Sequence, residues 1–135
     1  KRHAEISEVS VRASQESILE STLAEIEAVW AGIQLPVQPY KDERDVLVLG
    51  NVGEVREQLD QSLATVTAVL STRMGHAHLE ATREWQHRLL LLQEILDEWM
   101  SCQKAWMYFN SVFSVPDIER QLVRESFAFK KVHAT

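Results

Sequence analysis

The chain has 135 residues, room for one ordinary domain and too few for two, and its four glycines and three prolines fall well short of the about 16 that average usage would supply. Turn-formers this scarce predict long helices. Fourteen Lys and Arg against twenty Asp and Glu give a net charge of −6, which argues against a nucleic-acid partner; the single Cys102 excludes an internal disulfide and points to a reducing, intracellular compartment.

A first helix is predicted over residues 5–33, where Leu19, Leu23, Ile26, Trp30 and Ile33 step by four and three and so share one face. Pro36 and Pro39 forbid helix beyond it, because each lacks an N–H and drives the preceding residue towards extended geometry. Lys41, Asp42, Glu43, Arg44 and Asp45 read as a solvent-exposed turn, and Val46, Leu47, Val48 and Leu49 as a strand, so residues 34–49 are predicted to form a small antiparallel hairpin. That charged turn is either a purely structural loop or a point of contact with a partner.

Gly50 ends the hairpin, and Asn51 with Glu54 has the spacing of a capping box that would open a second helix over residues 51–73. Val52, Val55, Leu59, Leu63, Val66 and Leu70 carry its apolar face, with Gly75 placed to end it. A third helix is predicted over residues 77–113 with no Gly or Pro, roughly 55 Å long and therefore a rod. Ser114 and Asp117, with Pro116 between them, predict the start of a fourth helix over residues 115–133. The expected fold is mainly α: an elongated bundle of three to four long helices with one short β-hairpin, forming a single unit over residues 1–135. An opening at Lys1 without Met, and an end at Thr135 inside a polar, helix-like stretch, suggest a piece of a longer chain.

On the third helix Trp85, Leu92, Trp99, Trp106 and Phe113 recur every seven residues and, with Trp30 of the first helix, are predicted to form a buried seam. The alternating positions Leu89, Leu96, Gln103 and Asn110 turn polar in the C-terminal half, where the helix would leave its partners and face a neighbouring module unless the polar groups find partners. His76 and His78, with Glu80 and His87 nearby, do not close a tetrahedral shell, so no metal site is expected. Cys102 lacks a base to activate it, and Glu94, Asp97 and Glu98 lie on a helix face open to water. Glycines at 32, 50, 53 and 75 are too scattered for a phosphate-cradling loop, so no nucleotide or catalytic site is expected. The basic pairs Lys1-Arg2 and Lys130-Lys131 lack interleaved aromatics and read as solubilising; no apolar run approaches the roughly 18 to 20 residues of a membrane span.

The stretch from Trp85 to Val132 nevertheless has a recognisable wording: Trp85 and Leu89, then Leu96-Asp97-Glu98-Trp99, Gln103, Trp106-Met107-Tyr108, Val112-Phe113-Ser114, Asp117-Ile118, Arg120-Gln121-Leu122, Glu125-Ser126 and Phe127 or Phe129. It resembles the start of the linker region of dynein heavy chains. Upstream, Trp30, Pro39-Tyr40-Lys41, the strand-like run, Glu54-Val55 and Leu59-Asp60 echo the same family, so the likeness covers nearly the whole chain. It departs at Phe109-Asn110, at Gln61 and at Val123, the last standing where the family usually has proline. The Trp-Met-Tyr wording and the Pro-Tyr-Lys segment look more axonemal than cytoplasmic, so the resemblance implies a cytoskeletal location in a cilium or flagellum.

It also implies a mechanical role. The segment would help convert ATP-driven changes in the AAA+ ring of the same heavy chain into movement along microtubules. ATP and Mg would belong to the ring, leaving this piece without cofactor, metal or catalysis. Partners would be that ring and other dynein subunits or neighbouring motors, not nucleic acid or membrane. The heptads by themselves are equally compatible with a free-standing scaffold of spectrin-like type, from which the hairpin would distinguish it. Hinges are expected at residues 50–53, at Met74 and Gly75, and at residues 114–116, and Val123 is expected to let the last helix run on unbroken.

Overall fold

The structure, a computed structural model, describes residues 1–72 and 78–135. The described residues are mainly helical with a two-stranded antiparallel hairpin: α1 (Arg2–Gly32), β1 (Val37–Tyr40), β2 (Glu43–Leu49), α2 (Gly53–Ser71), α3 (Leu79–Phe113), α4 (Pro116–Gln121) and α5 (Val123–His133). Five helices therefore replace the expected three to four, and two of the five are short. The predicted end of the second helix near Gly75, and the hinge at Met74 and Gly75, lie outside the described residues, as does His76.

The core forms where three apolar faces meet. Ile26 from α1, Val55, Leu59 and Val66 from α2, and Leu89 and Leu96 from α3 are buried together, with Leu49 and Val52 closing the end of the cluster. Trp30, Ile33, Leu63, Leu70, Trp85, Leu92 and Met100 flank them, half-buried. The first helix thus contributes its face only from Leu19 onward; everything before Leu19 is exposed, including the apolar Ile6, Val9 and Ile18. Trp30 is tied across to α2 through its indole Nε1, which donates to Ser62 Oγ at 3.0 Å. This bond lets a buried serine sit opposite a tryptophan without an unmet hydroxyl.

The heptad on α3 has to be shifted. Its most buried line is Thr82, Leu89 and Leu96, and the predicted aromatic stripe runs along the flank of that line. Trp85, Leu92, Trp106 and Phe113 are half-buried, and Trp99 is 44% exposed, so the expectation that Trp99 lies in the core is wrong. Residues three or four apart share a face, and α2 sits over the 82–89–96 line, which leaves the seven-residue aromatic line at the edge of contact. Thr82 can hold a central place because its hydroxyl donates to the His78 carbonyl at 2.7 Å. Truncating Trp99 to alanine is accordingly expected to cost less than about 2 kcal/mol, below the range of about 3 to 5 for a fully buried aromatic; chemical denaturation measures it.

Several element ends also move. The turn of the hairpin is only Lys41 and Asp42, while Glu43, Arg44 and Asp45 belong to β2 rather than to the predicted five-residue loop. Lys41 takes a positive φ of 51°, unusual for a side chain of this type, and its ammonium lies 5.1 Å from the Tyr40 ring centre, where the aromatic face attracts it. At the start of α2, Asn51 Oδ1 accepts from the Gly53 N–H at 2.9 Å, and the helix begins at Gly53, two residues later than predicted. Ser114 does not cap the next helix: its hydroxyl turns back to the Asn110 carbonyl and closes α3 instead, leaving Val115 before α4.

The predicted last helix is broken at Leu122, whose φ of −117° and ψ of 56° leave the helical well. Neither Gly nor Pro marks the place. The break redirects the chain so that α5 folds back along α3: Phe129 meets Phe113 at 5.4 Å between ring centres, and His133 meets Trp106 at 5.6 Å. Ser126 is buried by the same return, and Lys130 pairs with Glu119 across the break. Helices α3 and α5 are thus antiparallel neighbours.

Candidate functional site: a hairpin clamped to a long helix

The hairpin pairs Val37 with Leu49, Gln38 with Val48 and Pro39 with Leu47, then shifts register before Tyr40 and Glu43. Gly50 follows directly, and its N–H donates to the Pro36 carbonyl at 2.6 Å; an added Cβ there would stand 3.2 Å from that same carbonyl, so the close crossing favours glycine.

Gln103 on α3 fixes this hairpin. Its Oε1 accepts from the Leu49 N–H at 2.7 Å and its Nε2 donates to the Leu49 carbonyl at 2.8 Å. One side-chain amide thereby supplies both bonds that a neighbouring strand would supply. Because Leu49 spends both groups outward, it forms a pair with Val37 that exchanges no ladder bonds, and the period of two extends this to Pro39 and Leu47. The missing N–H of Pro39 therefore falls on the outer edge, where it costs the ladder nothing. Both edges of the small sheet are blunted, one by proline and the other by Gln103.

Apolar contacts back the amide. Tyr40, buried, meets Trp106 edge-on with ring centres 5.0 Å apart and planes at 72°, and Trp106 Nε1 donates to His133 Nδ1 at 3.3 Å. A continuous path of contacts thus runs from the hairpin through α3 to α5. Nearer the core, Arg56 of α2 pairs with Asp97 of α3 at 2.7 Å, an exposed bridge of small energetic weight.

Of the residues singled out in the sequence, the structure joins Trp106 and Phe113 to the α5 aromatics, Trp30 to α2, and Trp85 and Leu92 to the core margin. Lys41, Asp42, Glu43, Arg44 and Asp45 are all exposed at the far end of the hairpin. Gln103 was visible as a break in the apolar pattern, but its partner lies 54 residues away, and only the fold reveals it. The alternative in which α3 leaves its partners at Gln103 is replaced by a clamp. His78 Nε2 stands 3.4 Å from Glu20 Oε1, bridging α1 to the start of α3. Among the described residues no three His, Cys, Asp or Glu side chains converge on a metal-sized site, and no helix is long and apolar enough to cross a membrane.

The sequence profile described as "Dynein heavy chain, N-terminal region 2" matches residues 1–135. The chain belongs to the dynein heavy chains. It is 36% identical over 128 residues to dynein axonemal heavy chain 6 of Homo sapiens, covering 95% of this chain and 3% of that one. Dynein axonemal heavy chain 1 of Mus musculus is 35% identical over 121 residues, 90% of this chain and 3% of the relative. The gamma chain of the flagellar outer arm dynein of Chlamydomonas reinhardtii is 28% identical over 129 residues, 95% and 3% respectively. This dynein segment therefore spans about 3% of the length of the heavy chains it matches.

Proposed function

We propose that this segment is the N-terminal part of the linker of an axonemal dynein heavy chain and that it transmits force rather than performing chemistry. The observation that carries the reading is the clamp. A 35-residue helix, roughly 52 Å long, holds the hairpin through two hydrogen bonds and an aromatic contact, so load applied at the hairpin passes directly into the rod. Long helices bend where their ladder is interrupted, and α3 runs without interruption from Leu79 to Phe113.

In this reading the moving parts are α3 with the hairpin, and rotation is confined to residues 50–53, the closing turn after Phe113, and the break at Leu122. ATP, Mg and hydrolysis are assigned to the AAA+ ring elsewhere in the heavy chain, and the ring of the same chain is the first partner. The location is the axoneme of a cilium or flagellum, supported by the axonemal and flagellar relatives. The exposed charged tip, with Lys41, Asp42, Glu43, Arg44 and Asp45, is the surface that would meet the ring or a neighbouring motor through complementary charge. The hairpin also speaks against a spectrin-like scaffold, which has no strand pair between its helices.

Microtubule gliding by the full motor tests the reading. Gln103→Leu, which leaves the hairpin without its polar anchor, is expected to slow gliding several-fold while basal ATP turnover continues. Unchanged gliding velocity in a folded variant would show that the clamp carries no load.

A further inference from the structure

Trp106 is the point at which the hairpin, α3 and α5 meet, and its one polar hydrogen is spent on a titratable partner. The indole Nε1–H donates to His133 Nδ1 at 3.3 Å, with the ring planes 8° from parallel and the ring centres 5.6 Å apart, so the two rings meet by their nitrogen-bearing edges. Phe129 flanks the imidazole on α5, with ring centres 6.1 Å apart. An indole N–H can only donate, so Nδ1 has to accept. The bond therefore exists only while His133 is neutral, with its hydrogen on Nε2.

We propose that the Trp106–His133 pair is a proton-operated latch, which holds α5 on α3 while His133 is neutral and releases α5 at the Leu122 break when the imidazole is protonated. Nδ1 takes one proton from solvent, and two N–H donors then oppose each other where one donor and one acceptor had met. Release has a consequence because α5 cannot stand alone. It has 11 residues, fewer than the roughly 12 to 15 at which an isolated helix is even marginal in water, and the non-helical backbone of Leu122 separates it from α4. Its order rests on the contacts of Phe129 with Phe109 and Phe113 and, at the end furthest from the break, on the bond from Trp106.

The charges around His133 allow the switch. On β2, Asp45 lines the same hollow of about 620 Å³ as His133 and Trp106, and a carboxylate there favours the imidazolium and draws it off the indole. On α5, Lys130 stands one turn earlier, but its ammonium pairs with Glu119 of α4, and Lys131 is exposed to water. To that hollow α3 contributes the thiol of Cys102 and no Asp, Glu, Lys or Arg. On the hairpin side of Trp106 stands Tyr40, with the Lys41 ammonium over its ring. Histidine changes charge at about pH 6.5, so the bond is present above that range and is lost as pH falls through it. Because the same indole meets Tyr40, the latch decides whether the path of contacts from the hairpin reaches α5. The latch does not depend on the force-transmitting reading, since its test follows local order and not gliding.

Hydrogen–deuterium exchange of the full-length heavy chain, corrected for the intrinsic pH dependence of exchange, is measured at about pH 7.5 and about pH 5.8, on either side of the histidine range. Protection over Val123–His133 is expected to fall about two- to fivefold in acid relative to α2, the weight of one neutral hydrogen bond. His133→Gln keeps an acceptor that does not titrate and should show no acid fall. His133→Phe keeps the ring without the acceptor and should be as weakly protected at both pH values as the wild type is in acid. A wild type with equal protection at both pH values would overturn the proposal, as would an acid fall of the same size in either variant. So would a His133→Phe chain as well protected as the neutral wild type, or a fall shared equally by α2.

Discussion

Replacing Leu96 with alanine is expected to destabilise the chain by about 2 to 5 kcal/mol. Leu96 is 1% exposed and lies in the middle of the cluster that α2 and α3 share with Ile26 of α1. Removing its isobutyl group takes away the transfer free energy of a buried side chain and leaves a cavity that Leu59 and Leu89, themselves almost fully buried, are poorly placed to refill. Urea denaturation of the 135-residue chain measures the loss as a shift in midpoint at constant slope. The informative comparison is with Trp99→Ala. Side-chain size alone ranks the tryptophan as the worse loss; the shifted heptad ranks Leu96 as the worse one.

Gln103→Leu is the second large effect, expected at about 2 to 4 kcal/mol. Counting apolar residues predicts the opposite sign, since a leucine would restore the heptad line of Thr82, Leu89 and Leu96. The structure predicts loss because the leucine leaves both the N–H and the carbonyl of Leu49 without a partner, each costing about 1 to 3 kcal/mol where water is excluded, and Leu49 is only 3% exposed. Gln103→Asn keeps the amide but is one methylene short of reaching both groups, so it should lie between Leu and wild type in the same denaturation series.

These two residues show where the sequence is legible and where it stops. The apolar faces of α1 and α2 follow from spacing alone, and so do the long helix and the presence of a hairpin, because periodicity and proline act locally. The phase of the α3 stripe did not follow. Five aromatics at a spacing of seven attract attention by size, but burial is decided by where α2 sits, and α2 meets the narrower line of Leu89, Leu96 and a threonine whose hydroxyl is satisfied within its own helix. The break at Leu122 was equally hidden, for no residue there is unable to be helical, and it accompanies the return of Phe129 and His133 onto α3. A polar residue in an apolar pattern is a question about a distant partner, and for Gln103 the answer lay in the backbone of a strand 54 residues earlier in the sequence.

The tip of the hairpin gives a similar lesson at smaller scale. Five charged residues in a row read as one loop, yet a two-residue turn suffices because Lys41 accepts a left-handed backbone, and the remaining three continue the strand. The regular pairing nevertheless stops at Pro39 and Leu47, and Arg44, Asp45 and Val46 bulge without a partner on β1 before Glu43 meets Tyr40.

Two structures of the parent motor, before and after its stroke, test the central claim most directly, namely that the clamped hairpin and the long helix move as one body. Superposing Leu79–Phe113 between the two states should leave only small differences along the helix. It should also carry Val37–Tyr40 and Glu43–Leu49 into register, with both Gln103 bonds to Leu49 intact. Any relative rotation within the segment should then lie at residues 50–53, after Phe113 or at Leu122. A kink opening in α3 near Gln103 or Asn110, or a hairpin that swings away from Gln103 between the states, would contradict the account.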